Sequence, residues 1–266
     1  MIIFLAMALP GRLLAISAHE FGHAWVAYRC GDPTAKSLGR MTLNPFKHLD
    51  LIGTIMMVVF GFGYAKPVPV NPLHFRHYRR DDLLVSLAGV TMNLLMFIAG
   101  CLCMYAWLGS ALSRLPQVAA SQLEDGVRAI TTYQGSKWIY DGQYPYGLDI
   151  LLKNAPYLSR TILTGLMGGV GATLFQMLGY FVQGNLALYL FNLIPLPPLD
   201  GYHVLNDLVL KRDVFATRKM SQYGTMALLL LMVSGVLSKG LGAAMEWVLG
   251  GVGDLARAAF SAIGAL

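Results

Sequence analysis

Apolar positions run in long unbroken blocks along this chain, and polar ones collect between them. The first block, about residues 2–29, predicts a helix. Pro10-Gly11 and Arg12 interrupt its start, and Arg29 with Gly31-Asp32-Pro33 ends it. Residues 34–50 are short and mixed, with Lys36, Arg40 and Lys47. An apolar run at 51–63 is too short for a standard span and carries Gly53, Gly61 and Gly63, so it predicts a re-entrant or interfacial hairpin. The Gly63–Pro72 segment cannot be helical, because its prolines remove donors and force extension. A basic cluster follows at His74, Arg76, His77, Arg79 and Arg80.

Residues 83–108 predict a spanning helix that contains Asn93. The stretch 109–158 is the least hydrophobic and predicts a loop with one or two amphipathic pieces. The apolar region 159–195 predicts one span, or one plus a piece broken at its glycines. It ends in Asn192-Leu193-Ile194-Pro195-Leu196-Pro197-Pro198-Leu199-Asp200-Gly201. A further helix is expected at 221–238, and 240–266 is either a last span or an interfacial helix. The pattern is that of an all-α polytopic membrane protein with about five to six transmembrane helices and a re-entrant or β-like hairpin. It reads as a single membrane-embedded domain over 1–266, with a core at about 2–210 and C-terminal helices at 211–266.

Composition agrees. The chain is 56% hydrophobic and 13% charged, about half the charge of a soluble domain. Its net charge of +6 does not form a nucleic-acid-binding stripe. The basic residues sit in short connectors, which places those after the first helix, at 74–80 and at 211–219 on the cytoplasmic side. The 109–158 loop then faces outside. Cys30, Cys101 and Cys103 show neither zinc-finger spacing nor a disulfide framework. The first block lacks a basic leader, so it reads as a retained helix rather than a signal peptide.

One polar pattern lies inside the first block: His19-Glu20-Phe21-Gly22-His23. Histidines four apart share a helix face, so both imidazoles reach one tetrahedral zinc with Glu20 beside them as general base. A buried structural pair is the alternative. However, only six histidines are present and Glu occurs only at Glu20, Glu124 and Glu246, which makes a chance match rare. A third ligand is needed, leaving the fourth position for water. Asp200 is the best candidate, because prolines and a glycine at membrane depth mark a broken helix lining a polar cavity. Asp200 could instead cap a helix starting near Tyr202. Beside an intramembrane H-E-x-x-H the ligand reading prevails.

His19-Glu20-Phe21-Gly22-His23 with the later Asn192-x-x-Pro195-x-Pro197-Pro198-Leu199-Asp200-Gly201 resembles the site-2 protease family of intramembrane zinc metalloproteases. The extended Gly63–Pro72 segment and Ala88-Gly89-x-x-x-Asn93 match in position and type. The family often has Gly-Pro before its asparagine helix, where this chain has Gly89-Val90. The resemblance covers most of residues 10–210 and implies a minimal catalytic core. It implies one Zn²⁺ ion on His19, His23 and Asp200, with Glu20 as the base. It further implies hydrolysis of peptide bonds in or near transmembrane segments of single-span membrane proteins. The expected setting is the bilayer of a bacterial cytoplasmic membrane, with the site open to the cytoplasm.

A membrane helix offers no free backbone to a protease, so a substrate must unwind locally. Val68 and Val70 keep N–H groups on one edge of the extended segment, and that edge could pair with a substrate strand. A rigid polyproline-like connector is an equal reading. Asn192 could orient substrate or donate to an oxyanion, or bridge helices as a packed polar residue. Asn93 is the other substrate-binding candidate. His74 and His77 read as a solvated face near anionic lipid. His48 and His203 lack a partner pattern. A metal-holding transporter would spread polar residues over several spans, whereas here they converge on two segments. A silent relative acting as a binding module would lack a ligand or the base, and all four residues are present.

Overall fold

A computed structural model describes residues 2–60, 65–112, 160–210 and 218–262. The first block forms α1 (Ile2–Cys30), with Pro10 in its early turns. A short α2 (Thr34–Ser37) and a 3₁₀ turn at Pro45–Lys47 lead to α3 (Leu51–Phe60). The chain then runs extended to a 3₁₀ turn at Pro72–His74 and enters α4 (Tyr78–Leu112). After it come α5 (Arg160–Asn192), a short α6 (Asp200–Val204) running into a π turn at Leu205–Leu210, α7 (Arg218–Val233) and α8 (Val236–Ala262). Among the described residues there is no strand; the antiparallel pairing is a single bridge between Leu49 and Ala65. The expected loop at 109–158 falls almost wholly outside the described residues.

Helices α4 and α5 are long and apolar enough to cross a membrane, over Tyr78–Ala111 and Leu163–Asn192. The α7–α8 pair, bent by 73°, makes a third if it is one span. Gly168 takes φ 75° and breaks the helical path of α5, as its glycines suggested.

The helices group into two compact units. One comprises Met1–Phe97 with Gly184–Ala244, the other Ile98–Gln183 with Met245–Leu266. In the second, Gly100 receives Val182 and Phe181, the Phe260 ring covers Gly109, and Trp107 meets Phe175 edge-on at 5.8 Å. In the first, α1 buries Ala8, Ala15, Ala18, Ala24 and Ala27. Small side chains let helix backbones approach where lipid offers no hydrophobic drive. At Gly22 the approach leaves no room for a side chain: a Cβ there would lie 2.7 Å from Met92 and 2.8 Å from the Ala88 carbonyl. That contact sets α1 against α4 at the level of the histidines.

Candidate metal centre

His19 and His23 project from α1 toward α4, and Asp200 meets them from the first turn of α6. The three residues come together although Asp200 lies far along the chain. Its approach depends on a tight reversal after α5, with Ile194 N–H on Phe191, Leu199 N–H on Leu196 and Tyr202 N–H on Leu199. Gly201 sits against the Leu193 carbonyl, with no room for a Cβ. Asp200 is the first residue of α6 and not its N-cap, which is Leu199, and its Oδ2 accepts no hydrogen bond among the described residues. Its carboxylate turns to the histidines instead.

Second partners orient both imidazoles. His23 Nδ1 donates to the Val85 carbonyl at 2.7 Å. His19 Nδ1 donates to Asn93 Oδ1 at 2.7 Å, while Asn93 Nδ2 donates to the Ala15 carbonyl and to Asn185 Oδ1. With both Nδ1 atoms protonated, each Nε2 carries a bare lone pair. The two Nε2 atoms are 3.0 Å apart, and Asp200 Oδ2 lies 3.3 Å from one and 3.4 Å from the other. That oxygen is buried and receives no hydrogen bond among the described residues. Three electron-rich atoms this close repel unless a cation sits among them. A tetrahedral zinc with ligand bonds of about 2.0–2.2 Å has ligand–ligand edges of about 3.3 Å. The triangle has that size, so the residues fit the ion.

Gly89 of α4 lies directly over this triangle, and a Cβ there would collide with both imidazoles. Glu20 is half-buried beside it, with Oε2 accepting from the Val68 N–H at 2.7 Å. The donor expected to face a substrate is thus engaged by Glu20. Val70 N–H and the Val68 and Val70 carbonyls carry no hydrogen bond among the described residues. Asn192 is not drawn into the cluster; its Nδ2 donates to the Leu188 carbonyl of its own helix. Asn93 serves His19 rather than facing open space, being fully buried.

The extended segment is pinned along its length. Lys66 N–H donates to His48 O, and Arg40 reaches the Lys66 and Pro67 carbonyls. Val68 packs with Ala24, Ala35 and Met41. Asn71 N–H donates to Asp32 Oδ2 at 2.7 Å. Asp32 is fully buried and also accepts from Thr34 N–H, the Thr34 hydroxyl and His74 Nδ1. Burial works to raise its pKa, but these donors outweigh it and hold the carboxyl below the usual range. His74 is therefore tied to a buried carboxylate, not merely part of a solvated face. His48 is buried, with Nε2 on the Thr42 carbonyl. His203 pairs with Asp82 of α4 at 3.0 Å, which ties α6 to α4 three residues past Asp200.

Sequence reasoning passed over Asn185, Asp82 and the hub role of Asp32. Asn185 had a signal, being a polar residue in an apolar run. Asp32 had none, since Gly-Asp-Pro reads locally as a helix stop.

Helices of membrane-spanning length around a largely buried His-His-Asp triangle with a glutamate alongside define an integral membrane protein with a metallohydrolase-type centre. Comparison with known proteins agrees. Residues 11–234 match Peptidase family M50. The chain is 35% identical over 222 residues to the candidate zinc metalloprotease YwhC of Bacillus subtilis, covering 84% of this chain and 78% of YwhC. It is 27% identical over 265 residues to the candidate zinc metalloprotease Rip2 of Mycobacterium tuberculosis, covering 97% and 79% of the two chains. No solved structure is significantly similar to it. The chain belongs to Peptidase family M50, the site-2 protease family, and is a zinc metalloprotease.

Proposed function

We propose that this protein hydrolyses peptide bonds in or near the transmembrane segments of single-span membrane proteins, using one zinc ion on His19, His23 and Asp200. The observation that carries this reading is the triangle of His19 Nε2, His23 Nε2 and Asp200 Oδ2, largely buried and sized for a tetrahedral ion, with Glu20 beside it. When bound, zinc supplies Lewis acidity that lowers the pKa of water at the site and polarises the scissile carbonyl.

Glu20 is the general base. Its Oε2 is held by the Val68 N–H, which fixes the carboxylate, while Oε1 has no partner among the described residues. Oε1 takes a proton from the attacking water and delivers it to the leaving amine nitrogen as the C–N bond breaks. Asn93 acts through His19, holding its tautomer, and Asn185 in turn holds Asn93. Asn192 meets the substrate by turning its amide away from Leu188.

The substrate enters unwound. The Val70 N–H and C=O and the Val68 carbonyl, unpaired among the described residues, offer it an edge for β-pairing next to the Val68 N–H that holds Glu20. Burial of Val68 and the anchors at Arg40 and Asp32 keep that edge straight. We read residues 1–266 as one peptidase domain with about five to six spans, α1 included, and α3 with the extended segment as a re-entrant hairpin. The basic connectors orient it in a bacterial cytoplasmic membrane with the site open to the cytoplasm.

The test is cleavage of a panel of single-span substrates by purified wild type and Glu20→Gln, with zinc measured on both. Loss of a general base predicts cleavage lower by about 10²–10⁴-fold at unchanged zinc content. Equal cleavage would remove Glu20 as the base, and full activity of metal-free wild type would defeat the zinc mechanism.

A further inference from the structure

A second polar site lies at the C-terminal end of α1. It is an open pocket of about 510 Å³ lined by Tyr28, Arg29, Gly31, Pro33 and Arg76. Two of those five are arginines and none is acidic. Neither Arg29 nor Arg76 forms an ion pair among the described residues. Two carboxylates lie close by in sequence, and both are buried and engaged: Asp32 accepts from Asn71, Thr34 and His74, and Asp81, against Cys30, accepts from the His77 N–H. Lys36 adds a third cation, donating to the Tyr28 hydroxyl at 2.8 Å.

The arginines are 47 positions apart, and the fold brings them together by specific means. Arg76 N–H donates to the Cys30 carbonyl, joining the chain before α4 to the end of α1. Gly31 takes φ 114°, and a Cβ there would lie 2.9 Å from the His74 carbonyl, with the Arg76 side chain in ordinary contact at 3.6 Å (Cγ) and 3.8 Å (Nε). A side chain at residue 31 would be strained at that φ and would press on the His74 carbonyl, which leads the chain to Arg76. Arg29 lies over the Trp25 ring, 5.7 Å from its centroid.

The pocket also sits at a membrane boundary. Arg76 stands two residues before the α4 span, which starts at Tyr78. Trp25 and Tyr28 are exposed on the last turns of α1, and Leu73 nearby is 91% exposed. Amphipathic aromatics beside basic residues mark the headgroup level of a bilayer. A guanidinium pair there matches a phosphate in geometry as well as charge.

We propose that the Arg29–Arg76 pocket binds the phosphate of an anionic phospholipid headgroup. The inference rests on the membrane placement of α1 and α4 and does not depend on the peptidase chemistry. It adds to the general attraction of basic connectors a defined site where one lipid docks.

Native mass spectrometry of the full-length protein in neutral detergent tests it, with short-chain phosphatidylglycerol, phosphatidylcholine of equal chain length and inorganic phosphate as probes. Phosphatidylglycerol should bind at least about tenfold more tightly than phosphatidylcholine. Arg29→Gln with Arg76→Gln should weaken it by about tenfold or more. Lys47→Gln with Arg80→Gln removes equal charge outside the lining and should change it by less than about threefold. Should the arginine pair variant fail to fold, judged by zinc content and elution volume, Arg76→Lys keeps the charge but loses the fork, and should weaken binding by about threefold. Equal losses in the two double variants, equal binding of the two lipids, or a wild-type affinity in Arg76→Lys where it is the variant read, would overturn the proposal. Displacement of phosphatidylglycerol by an equal concentration of inorganic phosphate would overturn the lipid assignment and mark a free-anion site.

Discussion

At the scale of single residues, the metal centre is built as much by what is missing as by what is present. Gly89 provides the space in which two imidazoles turn their Nε2 atoms together, and Asn93 and the Val85 carbonyl decide which nitrogen faces inward. Removing such an outer partner of a metal-bound histidine typically costs about 10–100-fold in metal affinity or activity. Asn93→Ala should therefore lower zinc affinity by about that factor, and Gly89→Ala should lower it at least as far, because its Cβ displaces both rings. Gly250→Ala, at a position with open space around it, should leave zinc unchanged. Competition with a chromogenic chelator measures all three. Normal affinity in Gly89→Ala would refute the close approach that the fold requires.

Among the elements, the extended stretch between α3 and α4 is the one whose role changed most on folding. Its prolines made it non-helical from the sequence alone, and the structure agrees. Its edge, however, is only partly free: the Val68 N–H is occupied by Glu20, and among the described residues the open groups begin at the Val68 carbonyl. The segment thus joins base positioning to substrate pairing. Val68→Pro removes one N–H and keeps an apolar side chain in the Ala24–Ala35 contact. Cleavage should fall by about 10–100-fold, a fraction of what the base itself contributes, while zinc binding stays at the wild-type level. Zinc loss in step with activity would mean that the segment supports the ligands instead. Of the apolar run at 51–63, Leu51–Phe60 is a helix, and among the described residues the strand-like pairing beside it is one bridge, Leu49 to Ala65, with Lys66 N–H on the His48 carbonyl.

For the molecule as a whole, the site joins α1 to a turn almost two hundred residues away, so ligand binding and folding are linked. Metal bound only by the folded state adds stability that grows with its free concentration, about 2.7 kcal/mol at a hundredfold excess over Kd. Chelation should lower the unfolding temperature of detergent-solubilised wild type, and added zinc should restore it; His23→Ala should respond to neither. Scanning fluorimetry reads this, and an identical chelator response in His23→Ala would separate the metal from this site. Much of the arrangement was legible beforehand. Hydrophobic run length determined α1, α4 and α5 to within a few residues, because apolar blocks of that size have few other stable forms in a membrane. The spacing of His19 and His23 placed both on one helix face, because a helix repeats every few residues whatever surrounds it. The break after Asn192 was written in three prolines and a glycine. Other features depended on contacts between residues distant in sequence: Asn185 behind Asn93, Asp32 as the anchor of Asn71, Asp82 on His203, and Arg29 beside Arg76. No local periodicity encodes such pairs. Hydrogen bonds and guanidinium pockets form only where packing delivers both partners, and that packing was decided by the tertiary structure, through the close passage of α1 and α4 at Gly22 and Gly89.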